Sequence, residues 1–227
     1  MGLGRAHCDM ISLAFALSLV TYNIDCYACN DWNARKEAVI EAISGHDVIA
    51  LQEVSVGTAQ ETDLTAALPQ YDKCPGVTST WNSITSITYY KKTLGAECLG
   101  DIGVIYSCPA IKIGSQRIIN CHLPWQKEQS RLALIQLAPE LREGDVLLGD
   151  MNAGFTENTV TWDILSSFFS EYTISRVDVI AIVGNSNKTL YNVRSQNLQG
   201  NDTHNLLFAK LRVKNAYIIP IINLILE

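Results

Sequence analysis

Short runs of hydrophobic residues recur along this chain, and polar or charged residues follow several of them directly. The runs at 18–24, 48–51 and 146–148 are rich in aliphatic and β-branched residues, a composition typical of strands buried within a sheet. Between the first two runs, residues 33–43 carry apolar side chains at helical spacing and end before Gly45. The order strand, helix, strand predicts a βαβ unit.

The remainder of the chain predicts further strands and a second crossover. Residues 83–120 contain short β-rich runs separated by Gly, Pro and Lys, a pattern typical of antiparallel strands. An amphipathic helix at 126–138 ends at Pro139 and leads into the run at 146–148, which implies another βα crossover. The other elements that we expect are helices at 62–68 and 161–169 and strands at 177–183 and 205–211.

The run at 146–148 is followed by Gly149 and then by Asp150 and Asn152, two residues apart. Residues two apart in an extended segment point the same way, so these side chains are expected to reach one point in space. A carboxylate there could accept a proton from a reacting water, and an amide could donate a hydrogen bond. The alternative interpretation is a strand that ends in a polar turn.

Other predicted strand ends carry the same kinds of side chain. In α/β sheets ligands gather at the carboxyl ends of strands, so we expect these residues to face one crevice. Taken singly, each is equally consistent with a solvated acid or a packing histidine. Together they suit a hard divalent cation acting on a phosphate. The set comprises Asn23, Asp25, Glu53, His122, Asp150, Asn152, Asp178 and His204.

Composition limits the class of protein. The 227 residues are predicted to form a single domain, 1–227, and the net charge of −6 excludes a global positive field that would hold long nucleic acids. The odd count of seven cysteines favours a reducing, intracellular compartment without a disulfide framework, and Cys26 and Cys29 are expected to be free thiols. The apolar run at 11–20 after Arg5 keeps a secreted form as an alternative, and it is too short to span a membrane.

Six boxes in order resemble the endonuclease/exonuclease/phosphatase family of metal-dependent phosphodiesterases. The resemblance covers residues 18–213 and leaves 214–227 as an apolar C-terminal extension. It implies an α/β fold, a sandwich of two mixed β-sheets flanked by α-helices (DNase I-like), with the site at one end. The boxes are T-Y-N-I-D (21–25), L-Q-E-V (51–54), N-C-H-L (120–123), G-D-M-N (149–152), R-V-D-V-I (176–180) and D-T-H-N (202–205).

The resemblance also implies a metal site. Glu53 would bind Mg²⁺ or Mn²⁺, with Asn23 and Asp25 beside it. A single carboxylate next to the cation agrees with the chemistry of Mg²⁺, which retains several waters and takes few protein ligands.

The same resemblance assigns the catalytic side chains. Asp150 would orient or deprotonate the attacking water, and Asn152 would hold that water or the phosphate. His204, oriented by Asp178, would contact a phosphate oxygen and stabilise charge in the transition state. His122 would make a second phosphate contact.

Within the family, the Asn-Ile-Asp sequence and His122 are closest to the DNA-repair branch of tyrosyl-DNA phosphodiesterases and abasic-site endonucleases. We therefore expect a monomeric enzyme that acts on nucleic acid, DNA above all. Thr203 departs from the family's Ser-Asp-His box, because Asp202 stands one step further back. Two alternatives stay open: another substrate class (sphingomyelin, inositol phosphate or polyadenylate), and a binding module with weakened catalysis.

Overall fold

The computed structural model describes residues 16–24, 31–79, 83–103, 107–154, 156, 158–184, 186–198 and 204–213. The α-helices within these residues are α1 (Trp32–Ile43), α2 (Ala59–Ala67), α3 (Lys127–Leu137) and α4 (Thr159–Ser166). The strands are β1 (Ala16–Asn23), β2 (Val48–Ser55), β3 (Tyr71–Pro75), β4 (Ile84–Lys91), β5 (Glu97–Asp101), β6 (Pro109–Ile113), β7 (Gln116–His122), β8 (Val146–Asp150), β9 (Phe169–Ser175), β10 (Asp178–Val183), β11 (Lys188–Gln196) and β12 (Leu206–Val213).

These strands form two six-stranded sheets. The first sheet has the order β11-β12-β1-β2-β4-β3, and the second has the order β5-β6-β7-β8-β10-β9. Each sheet contains one parallel pair, β1 with β2 and β7 with β8, and its other pairs are antiparallel. The helices α1 and α3 make the two parallel crossovers, so both predicted crossovers and the predicted sandwich of mixed sheets are confirmed.

The hydrophobic core has three layers. Leu19 of the first sheet and Leu148 of the second belong to the cluster between the sheets. Val39 of α1 belongs to a cluster on the outer face of the first sheet, and Leu134 of α3 to one on the second. The central strands are therefore covered on both faces, which is why β8 is buried at every position and its sequence reads as a continuous apolar run.

Two disulfides correct the expectation of a chain without a disulfide framework. Cys74 bonds Cys98, which joins β3, an edge strand of the first sheet, to β5, an edge strand of the second. Cys108 bonds Cys121, which joins the segment before β6 to β7. Because disulfides are typical of oxidising compartments, this finding counts against the intracellular location, which stays a prediction. Cys26 and Cys29 lie outside the described residues.

Four strands escaped prediction, and all are edge strands of their sheets: β3, β9, β11 and β5, which falls between the β-rich runs of residues 83–120. The strand β11 is half-exposed or exposed at nearly every position, so it carries no hydrophobic alternation. The helix predicted at 161–169 ends at Ser166, and β9 begins at Phe169. Among the described residues, no helix is both long and apolar enough to cross a membrane.

Candidate active site

Seven of the eight predicted site residues meet at one end of the sandwich. They come from the carboxyl ends of β1, β7 and β8, from β2, from the turn after β8, from the start of β10 and from the residue two before β12. These seven are Asn23, Glu53, His122, Asp150, Asn152, Asp178 and His204. The eighth, Asp25, lies outside the described residues, as do Asp202 and Thr203.

Asp150 is the centre of this site. Asn23 donates from one amide nitrogen to Asp150 Oδ2 at 2.9 Å and to Glu53 Oε1 at 3.1 Å, so both carboxylates face the same amide. His122 Nε2 lies 3.6 Å from Asp150 Oδ2 and 3.7 Å from Glu53 Oε1. His204 Nε2 lies 3.8 Å from the same Asp150 oxygen. One carboxylate oxygen is thus surrounded by an amide and two imidazoles.

Gly149 permits the close pairing that brings His122 beside Asp150. Its φ is +128°, and a Cβ atom built there would clash with the backbone carbonyl oxygen of Cys121 on β7. The register pairs Cys121 with Gly149 and His122 with Asp150. A glycine at this point therefore lets two strand ends approach without a side chain between them.

Asn152 reaches Asp150 by a route different from the predicted one. The strand ends at Asp150, and Asn152 adopts a left-handed backbone with a φ of 45°. Its backbone N–H donates to Asp150 Oδ1 at 2.8 Å, and its side-chain amide donates to the Leu123 carbonyl at 2.7 Å and to Asp150 Oδ2 at 3.3 Å. The two side chains do converge, but a turn brings them together. The assumption of an extended segment was wrong.

Glu53 also has a left-handed backbone, with a φ of 59°. The pairing of β2 with β4 shifts register between Leu51 and Val54, so Glu53 lies in a bulge. Bulges redirect a side chain, and left-handed conformations of non-glycine residues concentrate at functional sites. Here the bulge brings the Glu53 carboxylate within hydrogen-bonding distance of Asn23. The Glu53 side chain is 17% exposed.

Asp178 and His204 form a hydrogen-bonded pair. His204 Nδ1 lies 3.3 Å from the Asp178 carboxylate, which is fully buried. Burial, with the charge of Asp150, raises the pKa of Asp178 to about 7, although the bonds from His204 and the Asn205 backbone oppose this rise. Burial lowers the pKa of His204, but the bond to Asp178 and the charges of Asp150, Asp178 and Glu53 outweigh it and raise the pKa to about 9.

Within the part of the chain that the structure describes, one group of side chains satisfies the distances of a metal site. Asp150, Asp178 and His204 each offer a ligand atom, and these atoms lie within 4.8 Å of one another. This group could bind a metal, and it differs from the predicted set around Glu53. Asp150 is a member of the group with Asp178 and His204, and it also shares the Asn23 amide with Glu53. A cation bound by that group and a cation bound beside Glu53 would therefore both lie next to Asp150.

A buried polar bridge beneath the site was missed. Gln52 of β2 donates to Asn120 Oδ1 of β7 at 2.6 Å and to Thr21 Oγ1 of β1 at 3.0 Å. Asn120 in turn donates to the Leu51 carbonyl at 3.1 Å, and all three polar side chains are fully buried. The bridge joins the two sheets at the residue before Glu53. The available signal was a pair of amides inside otherwise apolar strands.

Comparison with known proteins identifies the family of this chain. The family model described as Endonuclease/Exonuclease/phosphatase family matches residues 20–180. The chain belongs to this family. Its members are hydrolases that act on phosphoester bonds. No curated protein sequence matches the chain.

Solved structures of the family share the fold. An endonuclease/exonuclease/phosphatase from Bacteroides vulgatus has a TM-score of 0.65 and 16% identity, over 88% of this chain and 100% of that one. ANGEL2, a 2',3'-cyclic phosphatase, has a TM-score of 0.69 and 13% identity, over 88% and 96%. D. rerio TDP2, complexed with single strand DNA product, has a TM-score of 0.60 and 15% identity, over 86% and 98%. At identities this low, the structural similarity establishes the common fold and nothing more.

Proposed function

We propose that this protein is a divalent metal-dependent phosphodiesterase that cleaves a phosphoester bond in a nucleic acid or at a DNA end. The observation that carries the proposal is the cluster around Asp150, where one buried carboxylate oxygen meets Asn23, His122 and His204. Carboxylates, amides and imidazoles gathered at one end of the sandwich suit a hard divalent cation that acts on a phosphate.

Glu53 and Asn23 would hold the metal, together with Asp25 from the T-Y-N-I-D box. The donors are hard oxygens and the Glu53 carboxylate is partly exposed, which fits Mg²⁺ or Mn²⁺ with several retained waters. A bound cation of this kind supplies Lewis-acid polarisation of a phosphoryl oxygen.

Asp150 would accept the proton of the attacking water. Its carboxylate is 1% exposed and is held by the Asn23 amide and by the backbone N–H of Asn152, so it cannot rotate away from its position. Asn152 is itself held by the Leu123 carbonyl, and it would position the water or a phosphate oxygen. A fixed general base of this kind commonly contributes about 100-fold or more to the rate.

His204 and His122 would contact the phosphate. The carboxylate of Asp178 orients the His204 ring and keeps it positively charged, so that Nε2, which lies 3.8 Å from Asp150, can donate to a phosphate oxygen as charge develops. His122 Nε2 lies 3.6 Å from the same Asp150 oxygen and would make the second contact.

Hydrolysis of bis-p-nitrophenyl phosphate with added Mg²⁺ tests the proposal. Glu53→Gln removes the charge near the cation with little change in volume and should abolish turnover and weaken Mn²⁺ binding measured by calorimetry. Asp150→Asn should reduce turnover at least about 100-fold. Glu97→Gln, at an exposed position on β5, is the matched control. Turnover that resists chelation, or that survives in Glu53→Gln, would exclude the metal mechanism.

The choice of nucleic acid is tested with defined substrates. DNA bearing a 5'-tyrosyl group, abasic duplex, polyadenylate, a 2',3'-cyclic phosphate, sphingomyelin and an inositol phosphate form the panel. We expect turnover of a DNA substrate to exceed that of the lipid and inositol substrates, and the opposite order would contradict the nucleic-acid assignment.

A further inference from the structure

Trp125 lies three residues beyond His122 and is 74% exposed. It is the most exposed large hydrophobic side chain among the described residues. Three residues of chain span at most about 11 Å, so the Trp125 Cα lies near the mouth of the site. Indole rings are normally buried to a large extent, and the exposure of this one requires an explanation.

The backbone on both sides of Trp125 is held in place. The Leu123 N–H donates to the Asp150 carbonyl at 2.9 Å, and the Leu123 carbonyl accepts from Asn152. Pro124 is buried, and the first turn of α3 closes with a bond from Ser130 N–H to the Gln126 carbonyl at 2.8 Å. The exposed ring therefore stands on a fixed support that is bonded directly to the Asp150 strand.

The residues that follow Trp125 along the chain are polar. The four following residues are Gln126, Lys127, Glu128 and Gln129, all exposed or half-exposed. A membrane-inserting or protein-binding surface would present several apolar side chains together. Leu132 and Ile135 of α3 are also exposed, but they lie seven and ten residues further along the chain. An aromatic plane followed directly by polar residues fits the stacking of one flat ring.

We propose that Trp125 forms a stacking subsite for the nucleobase adjacent to the scissile phosphate; this inference rests on the proposed phosphodiesterase function. The net charge of −6 and the carboxylates of the site provide no long-range attraction for a polyanion. Affinity for a nucleotide must then come from short-range contacts, and stacking on an aromatic side chain is such a contact. It also tolerates any base, because every base has a π-face.

Two p-nitrophenyl esters, one that carries a nucleoside and one that carries only a methyl group, test the subsite. The p-nitrophenyl ester of thymidine 5'-monophosphate carries a base, and methyl p-nitrophenyl phosphate does not. Trp125→Ala should raise KM for the thymidine ester at least about tenfold and leave kcat unchanged. The same variant should leave both constants for the methyl ester unchanged. Trp125→Phe should retain most of the affinity. The control is Ile135→Ala, which removes an exposed apolar side chain on α3.

Tryptophan fluorescence gives a readout that does not depend on turnover. In a Trp81→Phe background, thymidine 5'-monophosphate should quench part of the emission, and the further change Trp125→Phe should remove that quenching, because the two remaining tryptophans, Trp32 and Trp162, are buried. Equal quenching in both proteins, or equal KM changes for both esters, would overturn the subsite. Absence of turnover of both esters would overturn the proposed function while the quenching still decides the subsite. Loss of binding to phosphatidylcholine vesicles in Trp125→Ala, without a nucleotide effect, would replace the subsite with a membrane contact.

Discussion

Asp178 is assigned two effects on His204: its hydrogen bond orients the ring, and its negative charge keeps the ring protonated. The substitution Asp178→Asn separates these two effects. Asparagine keeps the volume of the buried side chain and can still accept a hydrogen bond from His204 Nδ1. Its amide oxygen carries no charge, however, so this bond no longer favours the protonated ring as the bond to a carboxylate does. Since Asp178 is fully buried and lies 3.3 Å from the ring, the charge acts on His204 with little screening by solvent.

The structure gives the size of the effect. The His204 pKa rises from 6.5 to about 9, which corresponds to about 3 kcal/mol in favour of the charged ring. The hydrogen bond to Asp178 is the largest of the causes that raise this pKa, ahead of the charge of Asp150, while burial acts in the opposite direction. We therefore expect Asp178→Asn to lower the pKa of His204 by at least about one unit.

The assay is a titration of the imidazole by NMR in protein treated with chelator, so that no cation contributes. In the wild type, His204 should titrate well above its ordinary range, and in Asp178→Asn its pKa should fall. Asp163→Asn, which changes an exposed carboxylate on α4, is the control for net charge. A wild-type pKa at or below 6.5, or an unchanged pKa in the variant, would refute the reasoning.

The same shift predicts the pH dependence of stability. A group whose pKa is raised in the folded state stabilises the fold fully below its unfolded pKa, and this contribution is lost as the pH rises through the folded value. For Asp178 the loss runs between 3.8 and about 7, and for His204 between 6.5 and about 9. The free energy of unfolding should therefore decrease from pH 5 to pH 9, and Asp178→Asn should flatten this decrease.

Two further substitutions test the framework of the site. Asn120→Ala leaves the Leu51 carbonyl and part of the Gln52 amide without a buried partner, and it should lower the free energy of unfolding in urea by about 3 kcal/mol; a loss under 1 kcal/mol would show that water replaces the bridge. Gly149→Ala brings a methyl group against the Cys121 carbonyl and strains a φ of +128°, so it should cost about 3 kcal/mol or more, seen as a lower Tm; an unchanged Tm would show that β7 and β8 can separate there without loss.

The sequence was sufficient for the parts of the fold that depend on local pattern and burial. Strands covered on both faces, such as β8, read as continuous apolar runs, and their polar ends identified Asp150 and its neighbours. The edge strand β11 carries no such run, because most of its side chains face solvent. Its strand conformation depends on pairing with β12.

The details of the site depend on contacts that are distant in sequence. The left-handed backbone of Glu53 is stabilised by a bulge against β4, and no residue type near Glu53 indicates it. The partners of Cys74 and Cys121 follow from the way the strands lie together, since spacing alone does not define a pairing. Gln52 and Asn120 both lie within the sequence motifs that we identified. Their hydrogen bond could not be predicted, because it forms only when the two sheets pack together.

The charges of the site explain how an acidic protein could accept an anionic phosphate. Glu53, Asp150 and Asp178 lie together, and the proton shared within the Asp178–His204 pair offsets only one of their negative charges. The remaining charge sits where Asn23 joins Glu53 to Asp150, so a divalent cation there would change the local field from repulsive to attractive for phosphate. Under the proposed mechanism, phosphate affinity should therefore rise with Mg²⁺ occupancy, and Glu53→Gln should remove that dependence. Phosphate binding that is equally strong in chelator would show that the imidazoles alone supply the attraction.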